Sequence, residues 1–556
     1  MRRDPGALTE REFDVVVVGG GIAGACIAWD ATLRGLSVAL LERGDFGSAA
    51  SANSLKIVHG GIRYLQHGDL GRLRASVAER NVLLRIAPHL VEPLPFAVPT
   101  YRGGISGKAL LGTGLRVYDL LSAGRNRGIH DPTRRVPAGR LLSRGETLSA
   151  LPEIEPNRVT GAAVFHDGLI YSPPRLTLGF VQAAADLGAC VTNYVEATGL
   201  LWDGDRVRGT AAVDRLAEER FEVRGRIVVN AAGGWAPQLL ADAGLAPERP
   251  PTFSRDACFI IRRKLAGGHA IALLDKTRDP DAIFSRGARH LFLVPWRDST
   301  LVGVWHTIYR GDPGSYGVSG EDLESFIADV NDLGLRFQVE RDDVRQTCCG
   351  LVLFGSDQPG GRELRYGKRS LIIDHASRQG VHGLITAIAV RYTVGRRLAE
   401  QVVDLLVHRL GTNRASCRTA ATPLPGGNVR MDELTGEVAS AAPDGLSRRA
   451  AAALARNHGA AWRRAIEPAD RSPALLQTLG DTSVTGAEIV HAVREEMAVT
   501  LADAVLRRTE LGSAGHPGRR ALERAAELVA AELVWSMDRT RREVEAVESA
   551  YPAWAL

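Results

Sequence analysis

The chain has 556 residues, more than one hydrophobic core serves, so two or three domains are expected. Its 45% hydrophobic and 24% charged content is that of an ordinary globular protein, and no basic stripe interleaved with aromatics marks a nucleic-acid surface. The net charge of +5 allows only weak attraction to an anionic membrane, and no apolar stretch is long enough to span one. The six cysteines form no C-x-x-C pair and no His/Cys cluster has metal spacing, so a reduced cytosolic setting with no metal is the expectation.

The Arg-rich leader, residues 1–11, reads as a frayed tail. Residues 13–18 are a β-branched apolar run, which predicts a strand buried on both faces. Gly19, Gly21 and Gly24 follow at G-x-G-x-x-G spacing, then a helical stretch to about residue 34 and a second apolar run ending in Glu42. This is a βαβ unit with the dinucleotide fingerprint in its first turn. Gly19 makes the tight turn, Gly21 admits a pyrophosphate, and Gly24 lets helix and strand lie close. The helix N-terminus faces the phosphates, and Glu42 stands where an acid accepts from ribose hydroxyls. Arg43 follows it, then a loop crowded with Ser48, Ser51, Asn53 and Ser54, suited to further phosphate and ring contacts or simply to an exposed surface.

Residues 54–67, SLKIVHGGIRYLQH, closely resemble the FAD-dependent glycerol-3-phosphate dehydrogenase family, as do residues 77–99 and the HAVREEMAVTLADAVLRRTELG run near the C-terminus. The resemblance implies an α/β fold: a glutathione-reductase-type Rossmann FAD domain, an antiparallel-sheet substrate domain and a C-terminal all-α domain. It places the FAD domain at 11–100, 156–250 and 351–410, a connection with one helix at 101–155, the substrate domain at 251–350 and the helical domain at 411–556. Residues 108–119 read as that helix, and 121–152 as an exposed connection. Residues 200–226 read as antiparallel strands with turns near Gly204 and Arg215. Residues 226–235 resemble a second FAD-contact motif, with Ala232 and Gly233 at its turn. Helices are expected at 321–333, 396–410, 486–506 and 519–550.

Placed on this frame, Ser51, Ser54, His59, Gly60 and Gly61 are expected against the flavin. A covalent flavin link through His59 is left open. Arg63 and Tyr64 follow as substrate residues, the guanidinium suiting an anionic group. Elsewhere the family pattern breaks. Its phosphate-holding Arg falls on Val352, and its Gly-Gly-Lys-Leu-Thr-Thr run falls on residues 389–394, where Arg391 keeps the charge and Thr393 the hydroxyl. A strand histidine falls on Cys258, while His306 appears in a neighbouring run and is the replacement base. Cys258, Cys348 and Cys349 read first as buried inert thiols, with a redox-active pair or a tether to the flavin left open.

The resemblance therefore implies an FAD-dependent dehydrogenase or oxidase that converts the secondary alcohol of glycerol 3-phosphate or a related polyol to a ketone. Electrons would pass to a quinone or to oxygen, in a cytoplasmic protein at the inner face of the membrane with at most peripheral contact; a homodimer is left open. The rewritten substrate residues admit a second reading, a divergent flavoenzyme acting on another alcohol or an amine, and make glycerol 3-phosphate itself an expected poor substrate. A non-catalytic FAD scaffold is the third.

Overall fold

The structure is a computed structural model that describes residues 1–65, 68–101, 107–157, 159–245, 252–278, 288–353 and 370–555. The expected βαβ unit is present as β1 (Phe13–Val18), α1 (Ile22–Leu33) and β2 (Val38–Glu42). β1 lies between two parallel neighbours, β2 and the strand Arg220–Asn230, with Val16 opposite Ala39 on one side and Val228 on the other. Having sheet on both edges, helices on one face and on the other the strands Val195–Asp203 and Arg206–Asp214 with Leu239 and Leu240, β1 has no wet side, and its valines are buried accordingly. Cys190–Asn193 extends the sheet beyond β2; Leu384–Ile388 and Leu371–Asp374 extend it the other way. The helix α1 is apolar almost all round because it too is enclosed, with Trp29 against Phe180 at 5.4 Å between ring centroids. Its one acid, Asp30, is buried but neutralised by Arg34 at 2.7 Å.

The second sheet draws on more of the chain than residues 251–350. Phe253–Ile261, Ala270–Arg278, Ala288–Trp296, Ser299–Tyr309 and Val344–Leu353 are joined by Ile57–Val58, Val91–Tyr101, Arg140–Ser143 and Val159–Ile170. The last two long strands, assigned above by resemblance to the cofactor half, pair with each other over their whole length and stack Phe96 on Phe165 at 5.4 Å. The expected exposed connection at 121–152 contains a strand and the helix Arg144–Ala150, closed by a Ser143/Glu146 capping box. Its Arg, Gly and Pro content concealed them. Gly320–Asn331 covers the outer face of this sheet through Phe326, 4.7 Å from Phe259.

Two expected C-terminal helices are interrupted. The first stops at Glu495; Met497 takes φ 55°, and the chain resumes in a π-helix at Asp503–Arg508. The second divides at Val534, in the left-handed region, into Arg519–Leu533 and Met537–Glu548. The first break has a tertiary cause. Asn193 donates to the Met497 carbonyl at 2.9 Å, and Arg175 grips both oxygens of the neighbouring Glu496 at 3.0 and 2.9 Å. These bonds outweigh local helix propensity.

The same region fastens the helical domain to the sheet domain. Arg508 makes two bonds to the fully buried Asp45, each 2.6 Å, and Arg507 a third of the same length. Nearby, His458, His491 and Glu496 gather as metal ligands could, but Arg175 holds Glu496 with both nitrogens and donates to His458 Nδ1 at 3.2 Å. The leader is not frayed: Arg3 pairs with Asp214 at 2.7 Å and donates to the Asn193 carbonyl.

Burial pushes the Asp45 carboxyl up, but Arg508 and Arg507 more than reverse this and bring it to about 2. A depressed carboxylate contributes stability that is complete above its ordinary value near ~4 and lost as pH falls through the folded value. Acid unfolding followed by circular dichroism is therefore expected to show a stability loss between about pH 4 and about pH 2. Asp45→Asn should flatten that segment and lower stability at neutral pH by about 3–5 kcal/mol, because buried Arg508 loses its carboxylate and Arg507 keeps only Asp503.

Candidate active site

The C-terminal ends of β1, β2 and Arg220–Asn230 open onto a cleft of about 530 Å³ whose opposite wall is the second sheet. The fingerprint builds the floor. Gly19 has φ 105°, and a Cβ there would lie 2.7 Å from the Ala231 carbonyl oxygen. A Cβ on Gly24 would lie 1.8 Å from Gly19 O, so α1 can touch the turn only through a glycine. Gly21 differs, since its nearest neighbour would be Ser51 Oγ at 3.3 Å. That hydroxyl accepts from the Ile22 amide at 3.0 Å, capping the first turn of α1 at the cleft.

Glu42 lines the cleft with its carboxylate held by two amides, Gly20 N at 2.7 Å and Gly44 N at 2.8 Å. Burial raises its pKa, and the two N–H groups oppose the rise. Arg43 lies over the Trp235 ring at 5.1 Å and 3.7 Å from Glu196, at the same end. Ala232 and Gly233 form the facing wall, and Ser54 and His59 lead towards the second sheet.

The His59–Gly61 turn is fixed from behind. Gly60 N donates to Asp167 Oδ1 at 2.6 Å; Arg80 donates to the same oxygen at 3.0 Å and to Tyr118 Oη at 3.1 Å. A Cβ on Gly60 would lie 2.1 Å from Arg80 Nη1. Gly60 and Gly61, expected against the flavin, stand outside the cleft lining; at Gly60 the glycine is required by this buried cluster. His59 faces the cleft, with Nδ1 3.5 Å from Asp167, and its amide donates to Thr393 Oγ1 at 3.2 Å.

Arg391 and Thr393 both line the cleft. Arg391 donates to Tyr64 Oη at 2.7 Å and Ser76 Oγ at 3.0 Å, and its guanidinium lies over the Tyr64 ring at 5.0 Å. Among the described residues it meets no carboxylate. Tyr64 thus stands behind Arg391, outside the lining; Arg63, one residue earlier, is half-buried and also outside it. Val352 lines the cleft, as do Ala389 and Val390.

His306 is also behind the cleft surface. Its Nδ1 meets Asp256 Oδ1 at 2.7 Å, and it is Asp256 that lines the cleft, with Ser254 Oγ hydrogen-bonded to the same oxygen. Sequence reasoning missed Asp256; the available signal was an acid inside an apolar strand. It also passed over Lys56, buried at φ 61°, with Nζ 4.6 Å from the centroid of the Trp296 ring and 4.0 Å from Cys348 Sγ. Cys258 lines the cleft beside this pair. The Cys258 thiol beside it and the Lys56 ammonium draw the Cys348 thiol down, against the opposing effect of burial. Cys349 is pushed up to about 12 by burial.

A parallel sheet with a dinucleotide turn, an acid ending the second strand and a cleft against a second sheet mark a dinucleotide-dependent oxidoreductase. Residues 14–393 match the family described as FAD dependent oxidoreductase, and the chain belongs to that family. FAD is its cofactor, and the residues present fit it: the Gly19–Gly24 cradle, the Ile22 amide end of α1 and the Glu42 carboxylate. Residues 417–540 match the C-terminal domain of alpha-glycerophosphate oxidase. A glycerol-3-phosphate dehydrogenase of Synechocystis sp. is 29% identical over 98% of this chain and 97% of its own length. The mitochondrial glycerol-3-phosphate dehydrogenase of Mus musculus is 29% identical over 96% of this chain and 72% of its own. The structure of the glycerol-3-phosphate dehydrogenase from Bacillus halodurans complexed with FAD superposes with a TM-score of 0.72 at 23% identity, covering 98% of this chain and 95% of that one, and shares the fold.

Two glycine substitutions should separate cofactor contact from packing. Gly21→Val is expected to fold with a near-normal melting temperature yet be purified without flavin absorbance, because only the Ser51 hydroxyl crowds it. Gly24→Ala should fail to fold or lose more than about 3 kcal/mol, because its Cβ meets rigid backbone. Thermal melts and visible spectra of both variants give the comparison.

Proposed function

We propose that the chain oxidises the secondary hydroxyl of a small anionic alcohol of the glycerol 3-phosphate kind to a ketone. The observation that carries this reading is Arg391, a cleft-lining guanidinium oriented by Tyr64 and Ser76 and left without a carboxylate among the described residues. Such a group binds an anion in charge-assisted hydrogen bonds. The names of the relatives support the same substrate class. Bound FAD supplies the hydride acceptor. The chain supplies the rest: Arg391 holds the anionic end, and Asp256, backed by His306, takes the hydroxyl proton. Electrons then leave to a quinone or oxygen by peripheral contact at the inner face of the membrane; no described helix is long and apolar enough to cross one.

Val352, where the resemblance expects a second guanidinium, favours a related substrate over glycerol 3-phosphate itself. One charge-assisted contact fewer costs about 1.5–3 kcal/mol of binding. Anaerobic mixing with glycerol 3-phosphate should bleach the flavin, with kcat/KM in a dye-coupled assay below about 10⁴ M⁻¹s⁻¹. Arg391→Ala should raise KM about tenfold or more, the equivalent of at least ~1.4 kcal/mol. Asp256→Asn should lower kcat about a hundredfold with KM little changed. Bleaching by amines and by no alcohol would overturn the proposal.

A further inference from the structure

Lys56, Cys258 and Cys348 form a buried cluster that the proposed oxidation does not use. Cys258 and Cys348 are Cα partners in the antiparallel ladder between Phe253–Ile261 and Val344–Leu353. Direct partners in such a ladder have Cα atoms about 4.5–5.5 Å apart, inside the span a disulfide bridges, about 4.4–6.8 Å. Their side chains share one face of the sheet and one apolar cluster, while Cys349, the next residue, points to the other face. Nothing crowds Cys258 from the neighbouring strand, since Gly303 stands beside it; a Cβ there would come within 2.7 Å of Cys258 Cβ. Both cysteines are buried, and Cys258 lines the flavin cleft. Lys56 is the charged group at hydrogen-bonding reach of the pair. With Nζ 4.0 Å from Cys348 Sγ, it favours the thiolate in a setting that water does not reach.

We infer that Cys258 and Cys348 are a redox-active dithiol that exchanges an electron pair with the bound flavin. In the oxidising direction the S–H bond of Cys258 breaks and an S–S bond forms between the thiol sulfur and the Cys348 thiolate. Two electrons and the one proton would pass to FAD, which would be reduced, and the negative charge carried at first by Cys348 would end on the reduced flavin. The reverse step lets reduced flavin open the disulfide. The pair is thus a second electron store in contact with the first, closed to external thiols by burial and open to the cleft. It depends on FAD binding and not on which alcohol is oxidised.

The test uses the FAD-loaded protein and no substrate. Anaerobic dithionite titration followed at the flavin bands should consume about four electrons per flavin in the wild type, and about two in Cys258→Ser and in Cys348→Ser, since the dithiol/disulfide couple carries two. Cys349→Ser should keep the wild-type figure. Independently, air-oxidised wild type denatured at low pH in alkylating reagent should give a cross-linked peptide containing Cys258 and Cys348, and the dithionite-reduced protein should give both residues alkylated. The peptide arm needs no variant to fold. Uptake of about two electrons by the wild type, or full alkylation of both cysteines in the oxidised protein, overturns the inference.

Discussion

The cleft depends on a charge pair that water scarcely touches. Asp167 comes from the second sheet and Arg80 from the helix Leu70–Ile86; their side chains are 4% and 0% exposed. Two buried charges are tolerable only when each is answered, and losing one partner typically costs about 3–5 kcal/mol. Here the carboxylate has a second duty, accepting the Gly60 amide, so the pair that joins helix to sheet also fixes the turn that carries His59 to the cleft. Thr393, arriving from the last βα unit, closes the arrangement on the His59 amide. Four separate lengths of chain thus meet at one turn, and the rigidity of the substrate wall follows from them.

What the sequence disclosed and what it hid divide along range. The fingerprint was legible because β1, the turn, α1 and β2 are local: each glycine's task depends on neighbours within a few tens of residues. Even there, contacts refined the roles, for Gly24 meets backbone whereas Gly21 meets a single hydroxyl. Arg391 and Thr393 were found only through resemblance, and their partners Tyr64, Ser76 and His59 lie more than 300 residues earlier in the chain. Asp256 was not found at all, and Lys56 was read only as one of the residues after the serine-rich loop. Their importance arises from register, Asp256 opposite His306 and Cys258 opposite Cys348, and pairing between distant strands leaves no local periodic signal. The helix breaks at Met497 and Val534 were invisible for a related reason: apolar spacing continues through Met497, and the backbone departs from it to satisfy Asn193 and Arg175.

The substrate wall combines loss and compensation. Val352 from the second sheet, with Ala389 and Val390 from the end of Leu384–Ile388, gives the cleft an apolar surface. Arg391 is well oriented, since Tyr64 and Ser76 hold one nitrogen and the Tyr64 ring supports its plane. A guanidinium fixed in this way discriminates by geometry as well as by charge, which suits recognition of one anionic group in an otherwise apolar space.

The Asp45 knot has a consequence for how the protein is made. Asp45 lies just past Glu42 and Gly44, at the nucleotide end of the cleft, while its partners Arg507 and Arg508 lie more than 460 residues later. A chain growing from its N-terminus therefore carries Asp45 with the Asn193 amide as an early partner, and with neither arginine, until residues 507 and 508 are made. Only when the final helices emerge does that acid find its arginines. The charge pairing of the cofactor loop is thus separated from the loop itself by more than 460 residues of synthesis, and a chain that stops before Arg507 lacks the ion pairs that fasten Asp45.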